Sequence, residues 1–204
     1  MTKEFLQYDT VRNNALKLAY RIIKDGFIPD VIYCSLRGGA YMANVISEYF
    51  KIARKGQHPV LYAALVARSY TDIRKHSNLR VDGWTYNPAH LRPGDKILLV
   101  DDIFDSGNTI NNVVDILLTH GVPRSDIKVA VHDYKYFTFK DSQLPIQPDY
   151  WCRKFEITKP EDDVWIHYMS HELVGLSNAE IEEYYLKQDP DLKEAMSFIF
   201  PSEE

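Results

Sequence analysis

Apolar residues recur along this chain in two rhythms, and the two alternate. Short unbroken runs at Val31-Ile32-Tyr33-Cys34, Val60 to Val66, Ile97 to Val100, Ile127 to Val131 and Tyr150 to Phe155 are too short for helices and read as buried strands. Between them, Val11, Ala15, Leu18, Ala19, Ile22 and Ile23 share one helical face, as do Ile110, Val113, Val114, Leu117 and Leu118 in a stretch from Thr109 to Leu118. A further helix is expected over Tyr41 to Phe50. Asp9 or Thr10 can cap the first helix, Gly26 sits where its C-terminal cap belongs, and Pro93-Gly94-Asp95 marks the turn into the central strand. Near the end of the chain, Ser177 caps a helix from Ala179 to Leu186, and Pro190 starts another to Phe198. Strand and helix in alternation predict an α/β fold with a mostly parallel central sheet flanked by helices.

Composition narrows this picture. A chain of 204 residues, 45% hydrophobic and 26% charged, suits one sizeable core, so residues 1–204 are expected to form a single domain with a helical C-terminal appendage at 176–204. The net charge of −5 disfavours general nucleic-acid or anionic-membrane affinity, so any anionic substrate must be held locally. No apolar run nears the roughly 18 residues of a spanning helix, and Lys3, Glu4 and Asp9 do not suit a signal peptide, which makes cytoplasm the expected location. Cys34 and Cys152 lack metal-ligand spacing, and Cys34 reads as a small core residue.

The chemistry concentrates where strands hand over to helices. Asp101, Asp102, Asp105, Ser106, Gly107, Asn108 and Thr109 fill the loop after the central strand, where open α/β sheets hold ligands. Free amides at the helix start favour a phosphate, and small side chains let it approach. Two adjacent carboxylates can grip vicinal hydroxyls or a hydrated divalent cation. Helix capping and an Asx-turn are the plainer explanation, but one Asp suffices for that. After the first core strand, Ser35-Leu36-Arg37-Gly38-Gly39-Ala40 forms a second such loop, in which the glycines admit close backbone approach and Arg37 offers a fork of donors.

The run Val100-Asp101-Asp102-Ile103-Phe104-Asp105-Ser106-Gly107-Asn108-Thr109 resembles the phosphoribosyl-pyrophosphate signature of the type I phosphoribosyltransferases. The Arg37-Gly38-Gly39 loop is similar to the pyrophosphate loop of the same enzymes. Within that family the chain looks most like the hypoxanthine and xanthine-guanine enzymes. The resemblance implies that Leu36, Arg37, Gly38 and Gly39 take pyrophosphate, with the Leu36–Arg37 bond cis or able to switch between cis and trans. It further implies that Asp101 and Asp102 hold the ribose hydroxyls and magnesium, that Ser106 to Thr109 with Asp105 cradle the 5′-phosphate, and that Asp105 is the general base. Ser69 and Tyr70 match a mobile lid in the polar interval from Arg68 to His90, for which an ordinary hairpin is the plainer reading. Ile103, Lys135, Trp165 and Ile166 would surround a 6-oxopurine, the last two within a small hood around residues 150–175.

At one point the chain departs from the pattern. Relatives with Trp at this place often continue to Pro-Trp and an acid, whereas this sequence has Met169-Ser170-His171-Glu172, so a metal-assisting group falls to Glu172 or is replaced by His171. The resemblance therefore implies a magnesium-dependent enzyme joining a purine base to phosphoribosyl pyrophosphate, assembled as a dimer or tetramer. Two alternatives stay open: another acceptor base, or a regulator on this fold that senses nucleotides without turnover.

Overall fold

Alternation of large apolar side chains on both faces of short strands dictates a sheet covered on both sides. In the computed structural model, residues 2–54, 56, 58–70, 78–139 and 143–200 are described, apart from the side chains of 68–70 and 78–80. The elements are β1 (Thr2–Leu6), α1 (Tyr8–Lys24), β2 (Val31–Leu36), α2 (Ala40–Ala53), β3 (Leu61–Tyr70), β4 (Asn78–Trp84), β5 (Ile97–Phe104) and α3 (Asn108–Thr119). They continue with β6 (Ile127–Phe137), β7 (Tyr150–Ile157), β8 (Val164–Tyr168), α4 (Asn178–Ile181) and α5 (Lys193–Ile199).

The main sheet has the order β4-β3-β2-β5-β6-β7, parallel throughout except for β4, which pairs antiparallel with β3. Ile32, Cys34, Leu98 and Val100 face one core with the inner faces of α1 and α2; Val31, Tyr33, Ile97 and Leu99 face a second core with α3. This is the α/β architecture the periodicity predicts. Cys34 is a core residue, and its thiol accepts from the Tyr62 hydroxyl at 3.4 Å.

Several boundaries differ from the sequence expectation for physical reasons. Asp9 does not cap α1; it lies within the first turn beside Arg12, and the cap is Gln7, which makes no side-chain bond. β5 and β6 continue past Val100 and Val131 through polar residues, where the inside-outside parity slips by one. Beyond Asp101-Asp102, Ile103 packs on the first core and Phe104 in the second; beyond His132-Asp133, Tyr134 and Tyr136 join the side of Val129 and Val131. The interval from Arg68 to His90 begins as a two-stranded arm rather than a loop, with β3 running to Tyr70 and β4 returning from Asn78. Residues 71–77 lie outside the described residues. Trp84 and Tyr86 tie its base to the core, Trp84 edge-on to Tyr33 and Tyr86 accepting the Tyr33 hydroxyl at its carbonyl.

A strand the pattern did not reveal, β1, pairs in parallel with β8 in a separate two-stranded sheet, Lys3 opposite Trp165 and Leu6 opposite Tyr168. β8 lies within the stretch 150–175 expected to form a hood, and the small sheet is called the hood below. The chain divides into two compact units, Met1–His171 and Glu172–Glu204. In the second, Ser177 and Glu180 form a reciprocal capping box at α4, which leads into a wide turn over Glu182–Leu186, and Pro190 opens the turn before α5. Among the described residues no helix is long and apolar enough to cross a membrane.

A buried charged network ties hood to sheet. The Asp133 carboxylate, fully buried, accepts from His132 Nδ1 at 2.9 Å, Arg153 Nε at 2.5 Å and the Tyr168 hydroxyl at 2.5 Å; Arg153 also reaches Glu4 of β1. The Asn14 amide on the far ring nitrogen of His132 leaves the imidazole proton on the side of Asp133. Burial alone would raise the Asp133 pKa, but His132, Arg153 and Tyr168 together hold it below the usual carboxylate value. Such a group adds stability in full above its unfolded pKa of ~3.9, and that contribution is lost as pH falls through the lower folded value. Asp133→Asn should lower the unfolding free energy by about 3 kcal/mol at pH 7, the scale for a broken buried pair. In urea titrations the gap to the parent should shrink below pH 4.

Candidate functional site

β2 and β5 are hydrogen-bonded parallel neighbours, with Val31 opposite Ile97 and Cys34 opposite Val100, so both deliver their carboxyl ends to the same edge of the sheet. Their following loops meet there. At Gly38 an added Cβ would lie 2.2 Å from Asp102 Oδ2, and at Gly39 one would lie 2.6 Å from the Val100 carbonyl. Only glycine lets the first loop lie this close to the acids. The Leu36–Arg37 peptide bond is cis, as the resemblance implies, and Arg37 is exposed at the loop's tip.

The acid pair is not symmetric. Asp101 is buried and receives the Asp102 amide on its carboxylate at 3.0 Å, and burial, with the Asp102 charge beside it, pushes its pKa well above the ordinary carboxylate value. Asp102 is more open. Its Oδ1 accepts the Ile103 amide at 2.8 Å, its Oδ2 lies 3.3 Å from His171 Nε2, and its carbonyl oxygen lies 3.1 Å from the Tyr168 hydroxyl.

Next comes a cleft of about 200 Å³ lined by residues 101–107, Thr109 and Ile110. Gly107 caps α3 with φ +78°, its Cα facing the Phe104 ring, and no acidic residue occupies the helix's first turn. The N-terminal dipole is therefore left for an incoming anion. Asn111 holds this turn against the 143–149 segment, donating to the carbonyls of Gly107 and Ile146 and accepting the Ile146 amide. Asp105 and Ser106 are exposed at the mouth.

Lys135 stands inside β6 rather than after it, with 5% of its surface exposed. Its ammonium donates to Asp163 at 2.6 Å and lies 3.8 Å from Asp105, so it bridges hood and loop. Trp165 is half exposed on the hood, whereas the Ile166 side chain is buried in the first core, which leaves only its backbone for any ligand contact. Ile103 is partly buried. Ser69 and Tyr70 end β3, with side chains outside the described residues. Glu172 begins the second unit, while His171 belongs to the first and reaches Asp102.

The sequence reading missed Asp163, Tyr168 and the Asp133 network. The polar pair His132-Asp133 inside the apolar and aromatic run from Val129 to Phe137 was the available signal.

A family model described as "Phosphoribosyl transferase domain" matches residues 2–167. The chain belongs to the phosphoribosyl transferase domain family. The chain is similar to the bifunctional protein PyrR of Microcystis aeruginosa, 25% identical over 166 residues, covering 80% of this chain and 89% of that protein. Phosphoribosyltransferase structures share the fold: the purine phosphoribosyltransferase of Pyrococcus horikoshii superposes with a TM-score of 0.64 at 20% identity, covering 87% of this chain and 99% of its own. The xanthine-guanine-hypoxanthine phosphoribosyltransferase of Helicobacter pylori does so with a TM-score of 0.57 at 20% identity, covering 91% and 99%.

Gly107 and Gly26 share φ +78°, but only Gly107 has a ring in the way of a Cβ. Gly26→Ala should lose about 1–2 kcal/mol of stability for left-handed backbone alone. Gly107→Ala should lose visibly more in the same urea titration.

Proposed function

We propose that the protein is a magnesium-dependent purine phosphoribosyltransferase, joining a 6-oxopurine to phosphoribosyl pyrophosphate with release of pyrophosphate. The observation that carries this reading is the meeting of Gly38 with Asp102, which joins two loops far apart in sequence into one surface. On this reading Arg37 and the amides of Gly38 and Gly39 take the leaving pyrophosphate, Asp101 and Asp102 take the 2′- and 3′-hydroxyls, and residues 105–109 take the 5′-phosphate. As pyrophosphate departs, C1′ gains positive charge, and the surrounding carboxylates offset it; catalysis is chiefly positioning and electrostatics.

The donors suit magnesium. Among the described residues no cluster of three or more His, Cys, Asp or Glu side chains forms a closed metal cage. Magnesium is commonly held by one or two carboxylates together with substrate phosphates, and the adjacent carboxylates of Asp101 and Asp102 supply that hard-oxygen pair. When bound, the ion would neutralise charge on the departing pyrophosphate.

For the base, Lys135 has three donors. One goes to Asp163 and one points towards Asp105, which leaves a third for the 6-oxo oxygen of a purine stacked between Ile103 and Trp165. Asp105 at the cleft mouth would move the proton at N7. Adenine would set an amino group against that donor, so it should react poorly. Ser69 and Tyr70 would belong to the arm that closes over the substrates.

The curated relatives favour a second reading. Proteins named bifunctional protein PyrR match most of this chain, which keeps another acceptor base, or a nucleotide-sensing regulator on the same fold, as the competing assignment.

Pyrophosphate release with phosphoribosyl pyrophosphate, magnesium and each of hypoxanthine, guanine, xanthine, adenine, uracil and orotate separates these. A 6-oxopurine should react fastest; preference for uracil, or no turnover with any base, sinks the purine assignment. Asp105→Asn should lower kcat by about 10²–10⁴ with little change in phosphoribosyl pyrophosphate binding. Trp165→Ala should raise the KM for the base about 5- to 150-fold, the worth of one stacked ring.

A further inference from the structure

Two charged side chains meet at the base half of the site, and neither has used all of its bonding capacity. Lys135 Nζ donates to Asp163 Oδ1 at 2.6 Å, and both side chains are well shielded, 5% and 19% exposed. The ammonium keeps further N–H groups, and the carboxylate keeps Oδ2, which accepts no hydrogen bond among the described residues. Asp163 has extended backbone, φ −72° and ψ 131°, and immediately precedes β8. Alternation therefore puts its side chain on the same side of the strand as Trp165, while Ile166 turns into the first core. The Lys135 ammonium also lies 3.8 Å from Asp105, which brings the pair to the mouth of the cleft.

We propose that Asp163 is a specificity-determining residue that reads positions 1 and 2 of the purine and selects guanine among the 6-oxopurines. This rests on the purine phosphoribosyltransferase reading above. On the edge of a 6-oxopurine the O6 acceptor and the N1–H donor are neighbours. Lys135 and Asp163 present a donor and an acceptor 2.6 Å apart, the complementary order at neighbour spacing. A Lys135 N–H takes O6, and Oδ1 takes N1–H; a carboxylate offers about four lone-pair directions, so an oxygen already holding one donor accepts a second.

Position 2 then falls to Oδ2. Guanine carries an amino group there and donates to the carboxylate. Hypoxanthine has only a C–H and forfeits that bond. Xanthine sets a carbonyl oxygen against a carboxylate oxygen, two acceptors with no proton between them. Neutralising the shielded Lys135 charge is the plainer task for Asp163, and it predicts something different: a change at Asp163 would then harm every base alike.

The test is kcat/KM for guanine, hypoxanthine and xanthine, with phosphoribosyl pyrophosphate and magnesium, on the full chain and on Asp163→Asn. The parent should favour guanine over hypoxanthine about tenfold, the scale of one hydrogen bond to a charged group, with xanthine slowest. The side-chain amide of the variant keeps an oxygen for Lys135 and N1–H but puts an N–H donor where Oδ2 stood. Guanine should therefore fall and xanthine rise, moving the xanthine-to-guanine ratio about a hundredfold, one such bond lost and one gained. The KM for phosphoribosyl pyrophosphate should not move. Equal losses with all three bases, or a parent that does not put guanine first, overturn the Asp163 assignment alone. A parent that turns over no 6-oxopurine overturns the purine reading and the assignment with it. Should Asp163→Asn fail to fold, the parent alone decides: guanine ahead with xanthine last upholds the assignment, and equal rates for guanine and hypoxanthine overturn it.

Discussion

Parallel strands that are hydrogen-bonded neighbours must end at the same edge of their sheet, and the candidate site follows from that constraint at β2 and β5. Because Val31 to Cys34 runs beside Ile97 to Val100, the turns after both strands open side by side. Their helices then leave on opposite faces, α2 over the first core and α3 over the second, so the two turns diverge and a crevice opens between them. Everything polar in the site hangs on this split. Glycine at 38 and 39 lets the first turn lie against the acids of the second strand, and the left-handed Gly107 lets the second fold back before its helix begins.

A second demand is electrostatic. Asp133, His132 and Arg153 sit in the middle of β6 and β7, where a purely apolar packing would be simpler and a buried ion pair is often no more stable than an apolar replacement. Their value lies in what they hold. Through Glu4 and Tyr168 they join the sheet of β1 and β8 to the main sheet, and through Tyr168 they reach the peptide of Asp102. The same hood supplies Asp163, which fixes Lys135 against the loop carrying Asp105. Two hood contacts thus converge on two different acids of one loop.

Much of this was legible in the chain. The double rhythm of apolar runs and helical faces yields the parallel sheet and its helices, and the acid-rich and glycine-bearing loops are recognisable because their composition has no packing purpose. The strand ends were not legible. Alternation is the signal for a strand, and it slips by one residue at Asp101-Asp102 and at His132-Asp133, so the pattern stops while the strand goes on. Lys135 is consequently inside a strand and buried. β1 escaped for a different reason: Thr2 to Leu6 is a five-residue strand whose partner lies at residues 164–168, and only Leu6 is buried enough to leave a mark. The placement of Tyr168 beside Asp102 depends on that unseen pairing, and no spacing rule links the two.

The same pairing has a consequence for how the chain comes off the ribosome. Residues 2–6 are made well before their hydrogen-bonding partners at 164–168, so this strand stays without its mate until nearly the whole matched domain has been made. Contacts of such long sequence separation form late and slowly. The main sheet from β2 to β7 has only nearer partners and can assemble as it is synthesised. On that order the turns after β2 and β5 are in place before the small sheet forms, and the step that joins β1 to β8 is also the one that brings Tyr168 beside Asp102.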